Sequence, residues 1–140
     1  MSIGTTQGKA WTETLPTNRD AHFNGRTFFR LHMTGNALPT IAEIWATADH
    51  SVDGHSHDAH ELLYMLRGVI EVNGKTVRAN EVAFIPRGTH YSARVLSDQG
   101  SHVLRVEFPH DGTANEPSEY DAKPWSGPLS DEGFPALNRK

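Results

Sequence analysis

A chain of 140 residues with thirteen Lys and Arg against seventeen Asp and Glu is one domain's worth of polypeptide, long enough to bury a core and mildly acidic. No block of basic residues offers a phosphate-binding face, which makes nucleic acid a poor partner. The absence of cysteine removes disulfides, thiolate metal sites and cysteine nucleophiles together, so any metal has to be held by His and carboxylate.

Residues 1–25 are polar, with Pro16, Asn18, Asn24 and Gly25, and read as an irregular arm docked through Trp11 and Leu15. The first eleven residues lack a basic start followed by an apolar core, and no long apolar run follows. The expectation is a soluble, unexported, cytoplasmic protein with no membrane partner. Arg26 to Met33 alternates loosely and is rich in Phe, which predicts a strand broken by Gly35-Asn36 and Pro39. Thr40 to Ala48 predicts the next, anchored by Ile41, Ile44 and Trp45, and Asp49 to Gly54 reads as a loop. His60 to Arg67 would suit a helix by apolarity alone, but Gly68 and the hairpin behind it favour a buried strand. Val69 to Val72 should pair with Thr76 to Ala79 across Asn73-Gly74, the dipeptide suited to a type I′ turn. Val82 to Ile85, Thr89 to Val95 and His102 to Phe108 complete a row of short strands at regular spacing. That rhythm predicts an all-β sandwich or barrel without helices.

Residues 109–140 change character. Pro109, Pro117, Pro124, Pro128 and Pro135 prevent regular ladders, yet Tyr120, Trp125, Leu129 and Phe134 are too apolar for a solvated tail. The segment reads as a strap across the outside of the barrel or across a partner subunit. The expected organisation is an arm (1–25), a barrel (26–108) and a strap (109–140).

The chemistry concentrates in Gly54-His55-Ser56-His57-Asp58-Ala59-His60-Glu61. On an extended backbone His55, His57 and Glu61 leave the same face, whereas His60 has the opposite parity and Asp58 suits a turn. Two His and one carboxylate on one side of a ribbon are donors suited to first-row divalent metals, and the set associated with non-haem iron. His22, His32, His50 and His110 lie outside any ligand spacing and are expected at the surface or at edges.

This segment resembles the first cupin motif, with His55, His57, Glu61 and Gly68 at its ligand and glycine positions. Val82 to Tyr91, with Pro86 and Gly88, resembles the second. Asn80 stands where that motif has Gly, and Asn also accepts the left-handed conformation. The motif's His position is occupied by Tyr91, with His90 one place early. Strand parity turns Tyr91, Ala93 and Val95 inward and His90 outward, unless a bulge at Gly88-Thr89 resets the register. His102 competes with His90 as a fourth donor, sharing an apolar face with Leu104, Val106 and Phe108 while Val103, Arg105 and Glu107 face away. His90, His102 or neither remains open at this point. Arg30, Arg94 and Arg105 are candidates for pairing with an anionic substrate.

The resemblance implies a double-stranded β-helix, a jelly-roll barrel holding one divalent transition metal, with iron first and nickel, manganese or zinc as alternatives. His55, His57, Glu61 and His90 would be its ligands. It implies a metal-dependent enzyme acting on a small organic molecule, an oxygenase or dioxygenase first, with isomerase, cyclase or lyase chemistry also known in similar families. The same residues also resemble the sensor barrel of arabinose-type transcription regulators, which bind effectors without chemistry; those carry a helix-turn-helix domain that this sequence lacks. Similar small cupins pair through their outer faces, so a homodimer is expected.

Overall fold

The computed structural model describes residues 10–15, 23–34, 38–108 and 121–137. Pro16, Asn18, His22, Gly35, Asn36, Pro109, His110, Pro117 and Tyr120 lie outside the described residues. Among those described there are twelve strands and no helix: β1 (Thr12–Leu15), β2 (Phe23–Asn24), β3 (Thr27–Met33), β4 (Thr40–Ala46), β5 (Ser51–His55), β6 (His60–Arg67), β7 (Val69–Val72), β8 (Lys75–Arg78), β9 (Val82–Ile85), β10 (Tyr91–Val95), β11 (Ser101–Phe108) and β12 (Asp121–Pro124). They form two antiparallel sheets, one of seven strands in the order β12-β1-β3-β4-β11-β6-β9 and one of five in the order β2-β5-β10-β7-β8.

The core lies between the sheets because each strand presents alternate residues to it. In β6 the alternation buries Glu61, Leu63 and Met65 and turns His60, Leu62 and Tyr64 away. Met65 is wholly enclosed with Val103 from the same sheet and Ile70, Val72, Val77 and Val95 from the other. Burying a side chain of that size stabilises by about 1.5–3 kcal/mol. The β6–β7 link depends on Gly68, whose φ is 82° and where an added Cβ would fall 2.4 Å from the Gly100 carbonyl oxygen, so that no other residue fits. Asn73 (φ 47°) and Gly74 (φ 80°) are both left-handed, as a type I′ turn requires, and close the β7–β8 hairpin.

Four strands went beyond expectation. The segment read as a loop before His55 is β5, which pairs with both β2 and β10. Asp53 and Gly54 hid it, being strand-poor residues held there by partners on either side. Within the arm and the strap, β1 pairs with β3 on one side and β12 on the other. Pro124 is tolerated in β12 because it ends a strand at the sheet edge.

A second apolar cluster forms on the outer face of the seven-stranded sheet. Trp11, Phe28 and Phe134 are buried there with Trp45 and Trp125. The Trp45 and Phe134 rings stack at 5.6 Å, the Trp11 indole donates to the Gly133 carbonyl at 2.8 Å, and the Trp125 amide donates to the Trp11 carbonyl. The strap therefore lies on the outside of its own barrel.

Candidate metal centre

Two loops meet at the site. After β5 the chain crosses from one sheet to the other through residues 56–59, and the β9–β10 connection clamps that crossing. The Gly88 amide donates to the His57 carbonyl at 3.0 Å, the Arg87 amide to His60 Nδ1 at 2.9 Å, and the Arg87 side chain to Asp58 at 2.6 Å. Gly88 (φ 78°) sits third in a turn closed by the Thr89 amide on the Pro86 carbonyl, where a positive φ is needed. His55, His57 and Glu61 are thus not on one ribbon. They approach because the crossing folds back over the start of β6.

The donor atoms of His57, Glu61 and Glu107 lie within 4.8 Å of one another. Glu107 is opposite Glu61 in the β11–β6 ladder, so the two carboxyls emerge side by side from adjacent central strands. Glu61 is only 1% exposed. Its Oε1 accepts a hydrogen bond from the Tyr91 hydroxyl at 3.1 Å, while Oε2, 3.7 Å from His57 Nε2, is buried with no hydrogen bond. A buried carboxyl oxygen without a donor is costly, and a cation at that point would offset the cost. The residues present therefore fit a divalent metal, which His57, Glu61 and Glu107 could hold.

His55, at the end of β5, stands beside this group. Its ring is 5.0 Å from that of His57 and 4.3 Å from that of Tyr91. His90 is exposed outside the group, and its Nε2 covers Gly54, where a Cβ would meet it at 3.2 Å. Tyr91 points inward and is buried, as parity predicts. Burial first, then the charge of Glu61, pushes its phenol well above the ordinary value, so it remains a hydrogen-bond donor to Glu61.

Glu107 was missed because the parity reading of β11 is inverted. Ser101 and Val103 are buried inside, with Arg105 and Glu107 continuing that inner face. His102 lies on the outer face, against Trp11 and Phe134, and its Nε2 donates to Glu43 at 2.8 Å. The apolar face of β11 is apolar partly because the strap covers it. The available signal was the pair Glu61 and Glu107 on strands that each alternate.

His32 and His50 are not simple surface residues either. His50 Nδ1 donates to the Asn24 carbonyl and its ring packs on Phe23, and burial lowers its pKa. His32 Nε2 donates to Glu43 at 2.7 Å, and Arg30 grips the same carboxylate through two nitrogens. Burial alone would raise the Glu43 pKa, but the hydrogen bonds from Arg30, His102 and His32 outweigh it and hold it at about 2 against an ordinary 4.5. A depressed carboxylate stabilises the fold above its unfolded value and loses that contribution as pH falls between about 4.5 and 2. Urea midpoints measured from pH 6 down to pH 2 should therefore fall less steeply in Glu43→Gln than in the unaltered protein. Parallel curves would contradict the reading.

The fold is that of the cupins. No family model and no curated protein matches the sequence. Among solved structures, the chain is similar to a cupin-like protein of Thermotoga maritima (TM-score 0.60, 15% identity, 88% of this chain and 90% of that one). It is similar also to the polyketide cyclase RemF of Streptomyces resistomycificus (TM-score 0.60, 19% identity, 85% and 88%). A third is a predicted oxalate decarboxylase of Thermotoga maritima (TM-score 0.59, 21% identity, 77% and 98%). No helix among the described residues is long and apolar enough to cross a membrane.

Proposed function

We propose that the protein is a metal-dependent cupin enzyme acting on a small organic molecule, with oxygenase chemistry as the first candidate. The observation that carries this reading is Glu61, a buried carboxyl with one oxygen held by Tyr91 and the other left for a cation between His57 and Glu107. One borderline imidazole and two hard carboxylates suit iron or manganese before nickel or zinc. Such an ion supplies Lewis acidity to a substrate carbonyl or, if redox-active, electrons to dioxygen. The chain's own residues orient and shelter the site. Tyr91 fixes the Glu61 carboxyl, and it also borders an open groove of about 480 Å³ over β8 and β9 whose lining runs from buried Val72, Val77 and Ile85 to exposed Lys75, Val82 and Phe84. That volume suits a small organic ligand.

The test is elemental analysis of protein purified without chelators. About one first-row metal per chain is expected, falling below about a tenth of that in His57→Ala, in line with the loss of one ligand of a small set. Protein that takes up none of iron, manganese, nickel or zinc when each is offered would overturn the proposal. The second reading, a binding or sensor cupin without chemistry, is favoured by Tyr91 standing where the second motif has His. Metal-loaded protein that binds organic acids but never consumes them would support it. We also place the protein in the cytoplasm as a homodimer. The exposed Val82 and Phe84 on edge strand β9 offer an apolar contact for a second copy.

A further inference from the structure

We propose that the site recognises a substrate carboxylate through Arg105. This rests on the metal-site reading above and adds the substrate class. Of the three arginines that could meet an anion, Arg30 is engaged with Glu43 and Arg94 with Glu71, both through paired nitrogens. Arg105 differs in place and in partners. It lies on the inner face of β11, two residues before Glu107, and its neighbours across the ladders are Leu63 and Ala42, which are buried and apolar. Its Nε is shut off from solvent, 3.2 Å from Glu107 Oε1 but not aligned to donate a hydrogen bond to it. The side chain nevertheless keeps 28% exposure.

A guanidinium has five donors in a planar fork, and one misaligned carboxyl contact leaves most of them for a ligand. The formal charges point the same way. Glu61 and Glu107 cancel a divalent ion, which leaves Arg105 as the surplus positive charge on the inner wall. Glu107 is shared between Arg105 and the ion, so a neutral substrate leaves the guanidinium short of acceptors, whereas a monoanion completes it.

The probes are glycolate and benzoate with their amides, glycolamide and benzamide, titrated calorimetrically into the full chain loaded with manganese. Each carboxylate should bind about ten-fold or more tightly than its amide, and Arg105→Gln should weaken the carboxylates by a similar factor while leaving the amides unchanged. Manganese stoichiometry, measured on the same samples, should stay at that of the unaltered protein. Equal affinity for acid and amide, or full carboxylate affinity in Arg105→Gln, overturns the inference. Should that variant fail to fold, Arg105→Lys keeps the charge without the fork: a loss of about three-fold or more supports the proposal and no loss overturns it. Failure to load manganese in the unaltered protein strikes the metal reading instead. A purely structural Arg105, serving only to pair Glu107, would shift manganese uptake or stability without changing the ratio of acid to amide.

Discussion

Glu61→Gln is expected to make the metal-free protein more stable and to remove its response to metal. The carboxyl is 1% exposed, and one of its oxygens has no donor. Leaving a buried acceptor unsatisfied costs about 1–3 kcal/mol. Glutamine keeps an oxygen for the Tyr91 hydroxyl and places an amide N–H₂ toward His57 Nε2, so that cost is largely relieved. A gain of about 1 kcal/mol in metal-free urea unfolding is the expected result. Metal at a hundred times its dissociation constant should stabilise the unaltered protein by about 2.7 kcal/mol, and Glu61→Gln by nothing measurable. The opposed signs are the diagnostic feature, because a site residue held in an unfavourable setting gives up stability for function. A variant that is weaker without metal and still stabilised by it would show that Glu61 is an ordinary core residue.

The parts of this arrangement that were legible in the sequence are those fixed by local chemistry. Asn73-Gly74 dictated a hairpin because both residues accept positive φ, and the alternation of Tyr91 with His90 placed the former inside. The clustering of His57 and Glu61 flagged the centre, although for the wrong geometric reason, since residues 56–59 cross between sheets instead of extending one strand. What was not legible depends on contacts distant in sequence. Parity states which residues share a face but not which face is inside. On β11 the face of His102 and Leu104 lies outside, with His102 against Trp11 and Phe134, and the face of Val103, Arg105 and Glu107 lines the interior. Cover from the N-terminal arm and the C-terminal strap together reversed the usual inference from hydrophobicity to burial. The same strap accounts for Glu43, which gathers Arg30, His32 and His102 on a face that would otherwise be solvated.

Phe28→Ala should cost about 3–5 kcal/mol, near the top of the range for an aromatic core truncation. Phe28 is completely buried, with ring centroids 5.5 Å from Trp45 and 5.6 Å from Trp125 and the Arg26 guanidinium 5.3 Å away. Its removal leaves a void between the sheet and the strap that rigid indoles cannot fill by rotating. The inner core is a separate cluster, built around Met65, Val103 and the five-stranded sheet. The metal centre draws on β6, β11 and the crossing before β6, none of which touches Phe28 through its ring contacts. Phe28→Ala should therefore bind metal with unchanged affinity in the absence of denaturant, while amides in 121–137 exchange much faster than in the unaltered protein. Hydrogen exchange and metal titration on one sample measure both. A loss below about 1 kcal/mol would mean that the outer cluster adds little to the fold; a loss of metal affinity in step with stability would mean that strap and barrel are one cooperative unit and that the centre relies on both.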